Sequence, residues 1–319
     1  MLTIIFFIIG FVILIKGADW LVEGAAALAK RFRVPDLLVG LTVVAFGTSL
    51  PELFVNIFAS FSGSSDLAMG NVVGSNITNI LLILGVAGLI YPLSVKGTTI
   101  YQEIPFSLLA VVLLGVLAND HLLDGAQGDI LSRTDGIVFF IFFMFFMYYV
   151  FGIARKFKGI DGVLPDGTQR PLHSLGQILL GMVGLALGGK WIVDGAIYLS
   201  QLFGASESFI GLTVVALGTS LPELATSAIA ATKKNADIAV GNVVGSNIFN
   251  IFFVLGISAM IKPLPIQTSA NTDIGVVIVA TLFLFATNFL GQKRILERRE
   301  AVILLLGYLG YMVFLVMRG

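Results

Sequence analysis

Long apolar stretches, separated by short polar or charged segments, follow one another along the whole chain. A helix that crosses a bilayer needs about 20 mostly apolar residues, and windows of that size predict ten spans. The spans lie near residues 3–29, 37–61, 67–91, 103–118, 134–154, 174–200, 208–231, 237–261, 272–290 and 301–317. Turn residues such as Tyr91-Pro92 and Lys262-Pro263 separate the spans. The pattern predicts an all-α integral membrane protein with ten transmembrane helices.

An internal duplication divides these spans into two halves. The segment Gly40–Leu53 recurs as Gly211–Leu224 with thirteen of fourteen residues identical. Gly70–Ile80 recurs as Gly241–Ile251 with ten of eleven residues identical, at the same offset of 171 residues. The duplication predicts a first five-helix repeat at 1–155, a short cytoplasmic loop at 156–173 and a second five-helix repeat at 174–319.

The odd number of spans in each repeat has a topological consequence. The second repeat must enter the membrane from the opposite side, so equivalent helices run antiparallel. Transporters built from such inverted repeats bind their substrate near the bilayer midplane, on interrupted helices at the repeat interface. We therefore expect broken helices 2, 3, 7 and 8 around a midplane ion site.

Composition and charge agree with a membrane protein and exclude several other classes. Hydrophobic residues make up 57% of the 319 residues and charged residues only 12%, against about 25% charged residues in soluble domains. The net charge is zero and no basic block is present, so we expect no nucleic-acid partner. Because the chain has no cysteine, disulfides and thiolate metal sites are impossible.

The distribution of basic residues predicts the orientation of the chain. Fourteen Lys and Arg residues lie in the loops after the odd-numbered spans, and three lie on the opposite side. Cytoplasmic loops carry an excess of basic residues. We therefore expect a multi-pass protein of the cell (inner) membrane with both termini on the non-cytoplasmic side.

Each repeat places one glutamate, Glu52 or Glu223, in the middle of an apolar span. Insertion scales assign about 2.5–3.5 kcal/mol to Asp, Lys or Arg at the centre of a membrane helix, and such groups usually face a partner or a water-filled cavity. Small residues in the repeats can serve helix packing, but packing needs no glutamate. The pseudo-two-fold axis would bring the two acids together, which predicts an ion site.

The residues before each glutamate predict an interruption of the helix. Pro51 cannot donate a backbone hydrogen bond and clashes with the carbonyl group of Gly47. Glycine eases local unwinding, so carbonyl groups from Ala45 to Thr48 are freed. Unwound carbonyls inside a membrane survive only within protein or beside a cavity. The same arrangement recurs around Pro222.

These groups suit a hard cation. Calcium takes six to eight oxygen ligands from carboxylates, carbonyls, amides and water. The repeats contain carboxylate, carbonyl and amide oxygens. Transition metals prefer imidazole or thiolate ligands, whereas His121 and His173 both lie in predicted loops. Carboxylates and hydroxyls also suit sodium, so one site could alternate between the two ions.

The G-T-S-x-P-E and G-N-x-x-G-S-N motifs resemble the two alpha repeats of the cation/calcium exchanger superfamily, specifically the short prokaryotic sodium/calcium antiporters. The resemblance covers both repeats and implies ligands from spans 2, 3, 7 and 8, with no cofactor. It implies Glu52 and Glu223 as central calcium and sodium ligands, backbone carbonyls of Thr48 and Thr219, flanking sodium sites at Ser49, Ser220, Ser75 and Ser246, and Asn79 and Asn250 at the border of the centre. Ala45 and Ala216 complete the predicted metal-ligand set.

The resemblance also implies a mechanism. Spans 1 and 6 would rock over a fixed eight-helix core and expose the site to each side in turn, with sodium entry driving calcium out. Some relatives have aspartate where this chain has Asn250. The missing carboxylate lowers the negative charge available for extra cations, so we expect no potassium requirement.

Other readings of the two glutamates stay open from the sequence. Both carboxylates could bind protons, which would make the chain a proton/calcium or other cation/proton antiporter on the same fold. An intramembrane acid-dyad enzyme is less favoured because no H-E-x-x-H or G-x-S-x-G motif is present. A scaffold leaves the buried acids unexplained. Dependence of calcium flux on sodium or on pH separates the two transport readings.

Two further patterns carry structural expectations. Lys16, Asp19 and Glu23 follow the i, i+3, i+4 spacing of ion pairs on a helix face. The phenylalanine-rich run 139–151 is expected to face lipid.

Overall fold

The computed structural model describes residues 2–95, 99–121, 128–158, 171–202, 216–289 and 294–318. Helices dominate the described residues. The first half contains α1 (Leu2–Phe32), α2 (Asp36–Val39), α3 (Ala45–Thr48), α4 (Leu50–Ser62), α5 (Ser65–Ile77), α6 (Leu84–Ile90), β1 (Leu93–Ser94), α7 (Ile104–Leu117), β2 (Asp129–Leu131) and α8 (Arg133–Lys158). The second half contains α9 (Pro171–Leu202), α10 (Ala216–Thr219), α11 (Leu221–Thr232), α12 (Ala236–Ile248), α13 (Gly256–Ile261), β3 (Leu264–Ile266), α14 (Ala270–Thr287), β4 (Ile295–Leu296) and α15 (Arg298–Arg318). Short π-helical segments occupy Gly40–Val44, Thr78–Ile83, Thr99–Glu103 and Phe249–Leu255.

The helices of the described residues include eight that are long and apolar enough to cross a membrane. They are Thr3–Phe32, Ser65–Ile90, Thr99–Leu117, Arg133–Ala154, Pro171–Leu199, Ala236–Ile261, Ala270–Thr287 and Arg298–Arg318. A ninth candidate is the helix pair Asp36–Thr48 and Leu50–Ser62, bent by 46°. The predicted seventh span, 208–231, lies partly outside the described residues. The all-helical membrane fold is as expected, and the count of ten helices stays a prediction.

Two helices of the repeats are interrupted at equivalent serines. Ser49 separates α3 from α4 with φ −83° and ψ 6°, and Ser220 separates α10 from α11 with φ −87° and ψ 3°. In each case proline stands in the first turn of the following helix, where its missing N–H has no partner to lose. At Ser49 the helix axis bends by 46°, three residues before Glu52.

The breaks expected in the third and eighth predicted spans have a different form. The helices Ser65–Ile90 and Ala236–Ile261 are continuous, and each contains a π-helical segment near its middle. Neither helix contains a proline, so no residue removes a backbone hydrogen bond as Pro51 and Pro222 do in the second and seventh predicted spans. A π-helical turn widens the helix by one residue per turn and is frequent at functional sites.

These two continuous helices form the centre of the molecule. Burial covers 72% of the apolar window in Ser65–Ile90 and 78% in Ala236–Ile261, against 22% in α8 and in α15. Helix α12 packs closely against α2. A Cβ atom at Gly241 would lie only 2.8 Å from the carbonyl oxygen of Leu37. Glycine is needed there for the two backbones to approach.

Two small antiparallel strand pairs join loops that are distant in sequence. β1 pairs with β4 through Leu93 opposite Leu296. β2 pairs with β3 through Leu131 opposite Leu264. Leu93 and Leu264 are themselves separated by the repeat offset of 171 residues, so equivalent loops of the two repeats each carry a strand.

Helices α1 and α9 pack against each other along a series of glycines. A Cβ atom at Gly17 would lie 2.8 Å from the backbone nitrogen of Leu185, and one at Gly181 would lie 2.7 Å from the backbone nitrogen of Leu21. Small residues allow this close approach, which membrane helices use where lipid removes the hydrophobic driving force. The two helices therefore form one closely packed unit.

This packing predicts opposite effects for the same substitution at two positions of α9. Gly181→Ala places a methyl group against the backbone of α1, and overpacking of this kind costs about 1–3 kcal/mol. Gly176→Ala meets no described atom within 4 Å and gains helix propensity of about 1 kcal/mol. We expect a lower melting temperature in detergent for Gly181→Ala only. Equal melting temperatures for the two variants would contradict the packing.

Candidate cation-binding site

The two repeat glutamates occupy equivalent places in the structure. Glu52 lies in the first turn of α4 and Glu223 in the first turn of α11, each directly after the interrupted segment. Both side chains are completely buried, and the carboxylates are close enough for their charges to interact. The fold thus brings together two acids that are 171 residues apart in sequence.

Serine hydroxyls surround both carboxylates. Ser75 donates to Oε1 of Glu52 at 3.3 Å, and its equivalent Ser246 donates to Oε1 of Glu223 at 3.5 Å. These contacts also cross between the repeats, because Ser49 donates to Oε1 of Glu223 at 3.1 Å. The fourth predicted serine, Ser220, donates to Oγ of Ser75 at 3.1 Å. The four predicted serines therefore form two equivalent groups, one around each glutamate, and each group contains a serine from both repeats.

The predicted threonines lie at the same interface and also bond across it. Thr48 donates from Oγ1 to Oδ1 of Asn242 at 3.0 Å, and Thr219 donates to Oδ1 of Asn71 at 3.2 Å. Oγ1 of Thr48 also lies 3.3 Å from the carbonyl oxygen of Ala45 and 3.5 Å from Oγ of Ser246, so this hydroxyl contacts groups of both repeats.

The two predicted alanines stand at the start of the interrupted segments. The carbonyl oxygen of Ala45 accepts from the backbone N–H of Ser49 at 3.0 Å, so it is partly engaged where the sequence predicted a freed carbonyl. Ser49 has a near-helical backbone, which keeps this last bond intact. The hydroxyl of Thr48 also lies within donor distance of this carbonyl oxygen, at 3.3 Å, so both of its lone pairs have a donor within reach. Ala216 begins α10 directly after residues outside the described part of the chain.

Asn79 and Asn250 lie in the π-helical segments of the two central helices. The side-chain amide of Asn79 donates to Oδ1 of Asn247 at 2.9 Å, and that of Asn250 donates to Oδ1 of Asn76 at 3.1 Å. These reciprocal bonds fix the orientation of both amides. Since the nitrogens point to the partner repeat, the amide oxygens are free to face elsewhere.

Several buried side-chain oxygens of the predicted site residues accept no hydrogen bond. They are Oε2 of Glu52, Oε2 of Glu223, Oδ1 of Asn79 and Oδ1 of Asn250. A buried polar group without a partner costs about 1–3 kcal/mol, more when it is charged. All four are acceptors, and two belong to carboxylates, so a bound cation would satisfy them. The arrangement is chemically suited to bind a hard metal ion as substrate.

Sequence reasoning assigned no individual role to the first and second asparagines of the G-N-V-V-G-S-N-I-x-N motif. The structure places Asn71, Asn76, Asn242 and Asn247 in direct hydrogen bonds with predicted site residues. Their recurrence at the offset of 171 residues was the available signal. These asparagines surround the ligand set and hold it across the repeat interface.

An ion-pair cluster lies beyond the end of α11. Lys233 contacts the carboxylates of Asp19 and Glu23 on α1, and Gln177 of α9 also donates to Glu23 at 3.4 Å. Partial burial lowers the pKa of Lys233, but the hydrogen bonds and charges of the two carboxylates outweigh this effect and raise the pKa overall. The acids of α1 therefore pair with the lysine that directly follows α11, where the sequence suggested Lys16 of their own helix.

Comparison with known proteins agrees with this geometry. The family described as sodium/calcium exchanger protein matches residues 2–152 and 173–317, which is nearly the whole chain. A sodium/calcium exchanger, MaX1 of Methanosarcina acetivorans, is 33% identical and covers 99% of each chain. An Escherichia coli inner membrane protein, YrbG, is 38% identical over 86% of this chain and 85% of its own.

A solved structure has the same fold. The sodium-calcium exchanger NCX_Mj, soaked with Na⁺ and Ca²⁺, superimposes with a TM-score of 0.83 and 30% identity over 98% of each chain. Both matches extend through both repeats. The chain therefore belongs to the sodium/calcium exchanger protein family and is a multi-pass membrane transporter, not an enzyme.

Proposed function

We propose that the chain is a secondary active antiporter that exchanges Na⁺ for Ca²⁺ at the site of Glu52 and Glu223. The single observation that carries the proposal is the set of four unpaired, buried acceptor oxygens, two on the glutamates and two on Asn79 and Asn250. Relatives named for sodium/calcium exchange support the identity of the ions.

The charge of the site fits alternating occupancy by the two ions. Two carboxylates neutralise one Ca²⁺, so a loaded centre has no net charge to desolvate. The serine and threonine oxygens around each carboxylate provide neutral ligands for Na⁺. Because Ca²⁺ and Na⁺ compete for Glu52 and Glu223, sodium that enters down its gradient displaces calcium, and we propose calcium export as the direction.

The strand pairs support the ten-span, inverted-repeat topology. Paired strands lie on one side of the membrane, so an even number of crossings must separate them. The predicted spans 4 to 9 make six crossings between β1 and β4, and spans 5 to 8 make four between β2 and β3. Removal of any one predicted span from these intervals would make a count odd.

We propose the organisation and location that follow from this topology. The first repeat is 1–155, the short cytoplasmic loop is 156–173 and the second repeat is 174–319. The excess of basic residues after odd-numbered spans supports termini on the non-cytoplasmic side. The inner-membrane relative supports the cell (inner) membrane as the location.

Access to the site alternates, in this proposal, by movement of the α1–α9 unit. Its close glycine packing supports motion as one body. Met182 and Val193 of α9 lie directly over Gly47 and Gly218 of the two interrupted helices. Movement of the unit would therefore uncover the segments that precede Glu52 and Glu223.

Calcium uptake into reconstituted vesicles, with sodium, potassium and proton gradients imposed separately, tests the function. We expect an outward sodium gradient to drive uptake. We expect potassium to have no effect, because Asn250 supplies no third carboxylate. Uptake driven by a pH gradient without sodium would identify a proton/calcium antiporter instead, and uptake that requires potassium would contradict the role given to Asn250.

A further inference from the structure

Asn71 of α5 and Asn242 of α12 use every hydrogen-bonding group of their side chains. The amide nitrogen of Asn71 donates to the backbone oxygen of Glu52 at 3.3 Å and to Oδ1 of Asn56 at 2.6 Å. Its own Oδ1 accepts the hydroxyl proton of Thr219 at 3.2 Å. Both side chains are buried, Asn242 completely.

Asn242 repeats this pattern in the other half. Its amide nitrogen donates to the backbone oxygen of Glu223 at 3.3 Å and to Oγ of Ser227 at 2.9 Å. Its Oδ1 accepts from Thr48 at 3.0 Å. Each asparagine thus joins the glutamate-bearing turn of its own repeat to a threonine of the other repeat.

The direction of the threonine proton matters for the ion. The carboxylate of Glu223 is within hydrogen-bonding reach of Thr48, and that of Glu52 is within reach of Thr219, so a carboxylate and an asparagine oxygen compete for each threonine proton. A hydroxyl has one proton and two lone pairs. If the proton is donated to a carboxylate, it occupies a lone pair that a cation needs. If it is donated to asparagine, the carboxylate and the hydroxyl oxygen both keep lone pairs for the cation.

We propose that Asn71 and Asn242 are positioning residues that direct the hydroxyl protons of Thr219 and Thr48 away from the glutamate carboxylates. The amide orientation that this requires is fixed, because both amide protons already have acceptors on the same repeat. This inference rests on the proposed ion site and adds two residues that act on the ion through threonine.

A double-mutant cycle on calcium binding tests the proposal. We expect Asn71→Ala to weaken calcium binding to purified protein in detergent about tenfold, which corresponds to 1.4 kcal/mol. The freed Thr219 proton then turns to Glu52. Thr219→Val removes that proton, so the double variant should bind calcium at least as well as Asn71→Ala alone.

Asn242→Ala with Thr48→Val forms an independent second cycle and should behave identically. The crossed pair Asn71→Ala with Thr48→Val shares no hydrogen bond and serves as the control, with additive effects expected. Melting temperatures show that each variant is folded. Additive losses in both bonded pairs, equal to those of the crossed pair, would overturn the proposal.

Binding and flux separate this inference from the proposed function. Wild-type protein that binds calcium but shows no sodium-driven flux would refute the antiport function, while the cycles would still decide the roles of Asn71 and Asn242. Wild-type protein that binds no calcium would refute both.

Discussion

Glu52→Gln and Glu223→Gln should each abolish sodium-dependent calcium uptake into vesicles. Glutamine keeps the size of the side chain but removes the charge, so Ca²⁺ keeps one compensating carboxylate inside a buried site. Loss of one partner from a buried charge pair costs about 3–5 kcal/mol. At about 1.4 kcal/mol per tenfold change in affinity, the loss exceeds a hundredfold, and uptake falls to the background of empty vesicles.

Glu103→Gln provides a matched control. Glu103 is also completely buried, but it lies at the end of the π-helical segment Thr99–Glu103, directly before α7, where its Oε1 accepts from Tyr149 at 2.6 Å. Glutamine keeps that acceptor, so we expect uptake close to the wild-type rate. Normal uptake by either site variant would refute the assignment. An equal loss in Glu103→Gln would show a general intolerance of the fold instead.

A covalent link between α1 and the end of α11 should stop transport. Asp19 and Lys233 form an ion pair between these elements, and the chain has no cysteine, so a double cysteine variant at these positions gives a single defined cross-link. A short bifunctional methanethiosulfonate would hold the moving unit to the core. We expect calcium uptake to fall to background after cross-linking and to return after reduction.

A second pair of positions controls for the chemistry of cross-linking. Glu23 and Gln177 lie in contact within the α1–α9 unit, and cysteines there would be linked without any restraint on the core. Uptake should persist in that variant. Before cross-linking both variants should transport, because surface ion pairs contribute only about 0–1 kcal/mol. Full transport by the linked 19–233 variant would exclude movement of α1 relative to α11.

The parts of the site that sequence reasoning located are those fixed by local chemistry. Proline fixes φ and lacks an N–H group, so Pro51 and Pro222 indicated where the helices are interrupted. The duplication then identified Glu52 and Glu223 as equivalent positions. Inverted-repeat geometry supplied the remaining step, since it brings equivalent residues of the two halves together.

The parts that it missed depend on partners distant in sequence. Nothing in the sequence around Asn71 indicates that its side-chain oxygen accepts a hydrogen bond from Thr219 in the other repeat. Likewise, nothing around Lys233 indicates that it pairs with Asp19. The phenylalanine run behaved similarly. Phe145 is exposed as expected of a lipid-facing residue, whereas Phe139 and Phe146 are completely buried. In a helix that is apolar on all sides, the sequence pattern does not distinguish the residues that are buried from those that face lipid.

The anomalous signal of calcium in crystals of the chain tests the central claim most directly. One ion should bind both halves of the protein through Glu52 and Glu223. We predict a single calcium peak within about 2.3–2.6 Å of a carboxylate oxygen from each glutamate. A calcium ion bound to one glutamate alone, or to neither, would contradict the account.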